Sequence, residues 1–226
     1  MPRRRAVLCV LAACGVAAYG PKVAWAACEI FPRDGRRDFL ILRHGQAVGH
    51  HRITYTRQPA EQDLGALFIV RSDVEIRAGL TGTHIFRLQH HAEEVWRDGW
   101  LDQLTADTDD DGRRYQVRAA RRGGIFAGAV NGAAFTVSGY IVPASLWHHD
   151  MIASETLFDA LDGRMKRVQA HLIGEEEVPL RGRKVPTRHY ALEGQIKRQL
   201  WYDADCRLAR AAFLARDGSW LTLEEA

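Results

Sequence analysis

The chain has 226 residues, 46% of them hydrophobic, and it carries 31 Lys and Arg against 28 Asp and Glu. Four of the basic residues lie in the first 26 positions, so the rest of the chain has 27 basic and 28 acidic side chains. This balance excludes the strongly basic surface that a nucleic acid or an acidic membrane attracts. We therefore expect no nucleic-acid partner.

Residues 1–26 have the features of a secretory signal peptide. Three arginines (Arg3, Arg4 and Arg5) precede a mostly apolar run, and Ala24-Trp25-Ala26 places small residues where a signal peptidase reads. The apolar run is shorter than the roughly 20 residues that a membrane-spanning helix needs. We predict export to the periplasm or the medium, with a mature chain that starts near Ala27.

A lipoprotein is the alternative form of the exported chain. Leu11-Ala12-Ala13-Cys14 resembles a lipobox, in which Cys14 would become the lipidated first residue. Beyond the predicted signal the sequence has two cysteines, Cys28 and Cys206. In an oxidising compartment these two either pair or remain free thiols.

Residues 27–226 are expected to form one antiparallel β domain without a transmembrane span. Phe39–Leu42 leads into a first alternating run of apolar and polar residues, and such runs predict half-buried strands. The runs cover 48–57, 67–78, 84–96, 115–120, 124–130, 134–141, 164–173, 188–193, 196–202, 207–215 and 220–223. Asp109-Asp110-Asp111-Gly112 and Asn131-Gly132 predict tight hairpin turns, because Asp, Asn and Gly accept a positive φ.

About eleven short strands with close turns predict a mainly β fold, an antiparallel curled sheet. One short helix is expected, with Ser154 as its N-cap, Leu157, Phe158 and Leu161 as its apolar stripe, and Gly163 at its end. A sheet of that many strands must curl, and one short helix is too small to cover its inner face. The prediction is a barrel or half-barrel that encloses an apolar cavity.

Strand alternation places three ionisable side chains among apolar neighbours. His51 shares a strand face with Ile53, and His90 and Glu94 share one with Trp96. Buried polar groups need partners, so these residues are expected either to hydrogen-bond within the sheet or to form a site. In a catalytic site, Glu94 with His51 or His90 would serve as acid and base.

No motif in the sequence fixes a catalytic activity. The serines lie outside any G-x-S-x-G pattern, and no glycine-rich loop opens a helix. The pairs His50-His51 and His90-His91 point to opposite faces of a strand, and the spacing of a zinc site is absent. We expect neither a metal nor another cofactor.

Large aromatic side chains lie at predicted strand ends and turns. Four of them are expected to line or gate an apolar pocket, the alternative being ordinary core packing. These residues are Trp96, Trp147, Trp201 and Tyr202.

Several short segments together, in a fixed order, carry a resemblance to a known family. They include Val48-Gly49-His50-His51-Arg52, the stretch 90–99, Thr108–Gly112, Pro143–Trp147 and Leu200–Asp203. In these the chain resembles the domain of unknown function 6134 family of exported bacterial proteins, over nearly all of residues 27–226. The resemblance implies an exported, mostly antiparallel β protein and brings no established reaction. A more distant, architectural likeness is to the half-barrels of periplasmic lipoprotein carriers, which hold acyl chains against a concave sheet.

The function expected from these observations is binding of a lipid or another hydrophobic small molecule. The aromatic residues would line the cavity, while His51, His90 and Glu94 would orient a polar head group. Two alternatives are an enzyme that acts on a hydrophobic substrate with Glu94 and a histidine, and a scaffold protein of the cell envelope.

Overall fold

The structure, a computed structural model, describes residues 35–59, 67–79 and 85–226. Strands make up 74% of these residues and form one antiparallel sheet that curls without closing. Its fourteen strands are β1 (Gly35–Arg43), β2 (Gln46–Gln58), β3 (Leu67–Gly79), β4 (Ile85–Arg97), β5 (Trp100–Asp110), β6 (Arg113–Arg122), β7 (Ile125–Val130), β8 (Ala133–Ser138), β9 (Thr156–Asp159), β10 (Arg164–Leu180), β11 (Arg183–Gly194), β12 (Arg198–Asp203), β13 (Leu208–Leu214) and β14 (Trp220–Glu225).

Nearly every strand pairs with its neighbour in sequence. The order across the sheet runs from β8 down to β1, then from β14 down to β9. The one long-range pairing joins β1 to β14, with Ile41 opposite Leu223. The two edges of the sheet, β8 and β9, therefore come from the middle of the chain.

Turns with left-handed backbone close the hairpins, as the sequence predicts at two places. Asn131 and Gly132 have φ values of 49° and 83°, and Asp111 and Gly112 have 56° and 88°. The Asn131 side chain also accepts a hydrogen bond from the backbone N–H of Gln116 (2.7 Å) and donates one to the carbonyl of Arg114 (2.8 Å). These bonds tie the β7–β8 turn to β6.

The expected number of strands, about eleven, is wrong. β5 was not predicted because its inner positions, such as Ala106 and Thr108, are small and its outer positions are acidic. The acidic run is 107–111, in which four of the five residues are aspartates. Asp107 forms an ion pair with Arg118 of β6 (2.7 Å), so the run belongs largely to the outer face of a strand. Only Asp111 of the acidic run lies in the turn that follows.

The predicted helix at 154–163 is also wrong. Leu157 and Phe158 belong to β9, which pairs with β10, and both side chains are fully buried. Ser154 caps no helix; its hydroxyl donates to the carbonyl of Asp150 (2.9 Å). The helical element of the described residues is a single 3₁₀ turn, His149–Ile152.

The sheet curls until its two edges touch through side chains. The Phe158 ring of β9 packs on Phe126 of β7 (5.8 Å between centroids) and on Phe135 of β8 (5.5 Å). At Gly163, just before β10, an added Cβ would lie 2.2 Å from a methyl group of Val130. We call this contact zone between β7, β8 and β9 the seam.

One half of the barrel interior is filled by the chain itself. Residues 139–155, here called the inner segment, enter at the end of the barrel where β8 stops, which we call the lower end. Within it, Trp147 packs on Tyr55 (6.2 Å), Phe68 (5.8 Å) and Trp96 (5.6 Å). Val142 and Ala144 hydrogen-bond in parallel fashion to Phe158 of β9 (2.8 Å each).

Several sequence-based predictions fall outside the described residues. These are the signal peptide at 1–26, the lipobox cysteine Cys14, and Cys28. Cys206 is disulfide-bonded. Its predicted partner, Cys28, lies outside the described residues. Among the residues that are described, no helix is long and apolar enough to cross a membrane.

Candidate ligand-binding cavity

The upper half of the barrel, on the side of the β1–β2 turn, contains a cavity of about 300 Å³. Its wall is the inner face of β1 to β4, where apolar residues such as Ile41, Ile53 and Val74 alternate inward. Ala144 to Trp147 of the inner segment form the floor. The mouth lies between residues 159–161 and 195–197, with Leu214 beside them. These mouth residues belong to the upper end of the barrel.

Two histidines on the wall hydrogen-bond to hydroxyl groups of neighbouring strands. His51 Nε2 lies 2.7 Å from Ser72 Oγ, and His90 Nδ1 lies 2.9 Å from Thr108 Oγ1. Burial lowers the pKa of His51 to about 3 and that of His90 to about 4. Both imidazoles are thus neutral at pH 7 and present polar but uncharged groups to the cavity.

The charged groups of the cavity lie on the opposite side, near the mouth. Arg198 is the first residue of β12, and its Nη1 donates to the carbonyl of Ala144 (2.7 Å). Asp159, at the end of β9, accepts a hydrogen bond from the backbone N–H of Leu161 (3.1 Å). Burial raises the pKa of the Asp159 carboxyl and lowers that of the Arg198 guanidinium.

Glu94 lies apart from the cavity surface, behind the floor. Its carboxylate accepts hydrogen bonds from Trp96 Nε1 (3.0 Å), Trp147 Nε1 (3.2 Å) and the hydroxyl of Ser145. Burial raises its pKa to about 7, although the three donors act in the opposite direction. Glu94 thus anchors the inner segment to β4, and its hydrogen bonds are to Trp96, Trp147 and Ser145 rather than to His51 or His90.

The four predicted aromatic residues fall in different places. Trp147 lines the cavity floor, and Trp96 packs behind it. Tyr202 is buried in the lower half, where its hydroxyl contacts the carbonyl of Leu146 (3.4 Å). Trp201 lies on the outer face of the sheet, stacked on His189 (4.1 Å) and hydrogen-bonded to Glu176 (2.5 Å). The structure thus brings only Trp147 of this set to the cavity surface.

A wide polar groove lies on the outer face of β2 to β6. Carboxylates, arginines and the outward histidines His50 and His91 line it. Across the ranges that the structure describes, no three His, Cys, Asp or Glu side chains are grouped so that they could hold a metal ion.

Comparison with known proteins gives a family and a fold. The family model "Domain of unknown function (DUF6134)" matches residues 39–224. The chain belongs to the DUF6134 family. A search of curated proteins finds no match.

The DUF6134 chain is also similar to a solved structure, that of a beta-barrel-like protein of domain of unknown function DUF1849 from Brucella abortus. The two chains are 10% identical, with a TM-score of 0.52, and the match covers 84% of the DUF6134 chain and 94% of the other. At this identity the likeness concerns the fold alone. It agrees with the barrel-like architecture that the sequence predicts.

Sequence reasoning missed several polar residues of this DUF6134 protein. Ser72 shares the period-two face of Val70 and Val74, so alternation alone could have placed it on the inner face of the sheet, as with His51. Arg198 likewise shares a face with Leu200 and Tyr202. No pattern marks His148, which is fully buried between the rings of Trp96 and Trp147, each at 4.8 Å.

Proposed function

We propose that this protein is a periplasmic or secreted binding protein that holds a small, mostly apolar molecule in the upper cavity. One observation carries the proposal: the inner segment fills the lower half of the barrel, and above it remains a cavity of about 300 Å³ with largely apolar walls. A barrel that only needed a stable core would gain from filling this space, because empty volume in a core lowers stability.

The volume limits the class of ligand. Cavities that bind small molecules range from about 300 to 1,000 Å³, and this one is at the lower limit. It fits a small molecule, or one end of a longer one, better than a complete long acyl chain. Removing apolar ligand surface from water would drive binding, at about 25 cal/mol per Å² before ordering costs.

The polar groups on the wall supply orientation. His51, Ser72 and His90 offer uncharged donors and acceptors within an otherwise apolar surface. A few such groups in an apolar pocket are the usual arrangement for fixing the pose of a ligand. The disulfide at Cys206 supports an exported protein, because disulfides persist in oxidising compartments.

Filling the cavity tests this function. Ala92 is buried on the inner face of β4 and lines the cavity, so the extra side-chain atoms of Ala92→Leu would enter the empty space. We expect the wild-type protein to bind the small neutral probe 1-aminoanthracene with a rise in fluorescence, and the variant to bind it at least about tenfold more weakly. Native mass spectrometry of the purified protein is expected to show a co-purified small molecule.

Two measurements accompany this experiment. Ala134→Leu makes the same change at an exposed position of β8 and is expected to leave probe binding unchanged. Because the added atoms of Ala92→Leu enter empty space, we expect this variant to cost less stability than the roughly 1–3 kcal/mol typical of overpacking a filled core. Equal probe binding by wild type and Ala92→Leu would contradict the proposal.

A further inference from the structure

Arg198 is the one arginine that the described chain directs into the upper cavity. It starts β12 on the inner face, opposite Phe213 of β13 and next to the mouth residues 195–197. Across the cavity are His51 and His90, and the positive charge of Arg198 adds to the effect of burial in lowering the pKa of both. The guanidinium and the two histidines thus face one interior space.

The guanidinium of Arg198 keeps most of its hydrogen-bond donors unused. Nη1 donates to the carbonyl of Ala144, while Nε and Nη2 have no hydrogen-bond partner among the described residues. Neither nitrogen is fully enclosed by protein atoms, and Arg198 lines the cavity, so both N–H groups are open to it. The charge of Asp159 raises the pKa of Arg198, against the effect of burial, but no ion pair joins Arg198 to a carboxylate of the described residues.

A second inner-face arginine shows what a structural role looks like in this fold. Arg37, in the lower half, makes two hydrogen bonds to Glu225 (2.8 and 3.2 Å) and a third to the carbonyl of Leu208 (2.6 Å). Its charge is neutralised and its donors are used. Arg198 has neither a comparable ion pair nor a comparable set of acceptors, although a partly buried guanidinium is costly without them.

The charges of the cavity favour an anion. Arg198 and Lys197 carry two positive charges, Asp159 carries one negative charge, and the buried histidines are neutral at pH 7. An anionic group at the mouth would accept hydrogen bonds from the two unused nitrogens of Arg198, in the bidentate geometry that a guanidinium and a carboxylate form. The remaining walls are apolar, so the rest of the molecule would be hydrocarbon.

We propose that Arg198 binds the anionic head group of the cavity's ligand, and that this ligand is a short anionic amphiphile such as a medium-chain carboxylic acid. The head group lies between Arg198 and the mouth, and the hydrocarbon part lies against Ile41, Ile53 and Val74. The inference rests on the proposed function and adds the chemical class of the ligand to it.

Calorimetric titration with octanoate and 1-octanol tests the inference, because the two molecules have the same chain and differ in the head group. Octanoate is expected to bind about tenfold or more tightly than octanol at pH 7.5. Arg198→Met removes the charge and is expected to abolish this preference. Lys184→Met removes a positive charge at an exposed position of β11 outside the cavity lining, and it is expected to retain the preference.

The outcomes separate this inference from the proposed function. If both molecules bind equally well to the wild-type protein, the anionic head group is refuted and an apolar-ligand protein remains. If neither binds, the cavity function itself is refuted. Should Arg198→Met fail to fold, the carboxyl pKa of ¹³C-labelled octanoate bound to wild type decides: a pKa below that of free octanoate supports the contact with Arg198, and an unchanged or raised pKa refutes it.

Discussion

Glu94 shows how a single buried carboxyl group can serve structure. Its side chain is 2% exposed and accepts hydrogen bonds from three donors, two of them on the inner segment. Burial raises its folded-state pKa to about 7, above the 4.5 of an exposed glutamate. The folded protein therefore binds more protons than the unfolded chain between these two values, and stability falls as the pH rises through this window.

Glu94→Gln removes this titration. We expect the stability of the variant relative to wild type to increase by about 2 kcal/mol between pH 5 and pH 8, because only the wild type loses stability through Glu94 ionisation. Urea unfolding followed by tryptophan fluorescence at both pH values measures the difference. A constant difference between variant and wild type would show that Glu94 does not titrate in this range.

His148 has the opposite dependence on pH. It is fully buried, its Nδ1 accepts a hydrogen bond from the backbone N–H of Asp150 (3.3 Å), and its Nε2 has no partner. Burial lowers its pKa to about 4, below the 6.5 of an exposed histidine. Its neutral form is thus favoured in the folded state, and stability is lost as the pH falls from about 6.5 towards 4.

His148→Phe keeps a planar ring between Trp96 and Trp147 and removes the titratable group. The variant is expected to gain about 2 kcal/mol relative to wild type when the pH is lowered from 7 to 5, because only the unfolded wild-type chain then binds a proton at position 148 that the folded protein does not. Urea midpoints at the two pH values, with their slopes, provide the measurement. Parallel pH profiles of the two proteins would contradict it.

At the scale of elements, the seam depends on close contact between a turn and a strand. Gly163 has a φ of +69°, and an added Cβ would clash with Val130 of β7. We expect Gly163→Ala to lower the free energy of unfolding by more than about 2 kcal/mol, through both backbone strain and overpacking. Val130→Ala in the same chain is expected to recover part of the loss, so the two changes are not additive.

Gly182 offers a matched control for the seam. It also has a positive φ, +74°, but an added Cβ there would meet nothing within 4 Å. Gly182→Ala should cost only the backbone strain of about 1 kcal/mol, and its cost should add to that of Val130→Ala. Urea unfolding of the single and double variants gives both coupling energies. A coupling of zero between positions 163 and 130 would contradict the contact.

The same elements explain what the sequence could predict. Hairpins such as Asn131-Gly132 were predictable because turn chemistry and strand alternation are local. β9 was not, because both of its faces are covered and its consecutive apolar residues, Leu157 and Phe158, imitate a helical stripe. β5 was missed because ion pairs with β6, which alternation does not reveal, hold its acidic face.

For the whole molecule, the site was predictable only in part. The inward direction of His51, His90 and Glu94 follows from alternation on β2 and β4. Trp201 could not be placed, since the residues on both sides of it are buried as well and the outer face of β12 is covered by Val178. Arg198 meets the histidines only because the sheet curls until β12 faces β2, a distance in sequence that no local pattern spans.

At the seam, the circumference of the barrel is held by side-chain packing between the two edge strands. β8 and β9 meet through Phe135 and Phe158, and the sheet's thirteen strand pairings lie elsewhere in the described chain. Parting the two rings exposes apolar surface but breaks none of those pairings, so widening at this one place costs less than it would anywhere else around the ring. A ligand too large for the cavity would therefore enter most easily by separation of the two edge strands.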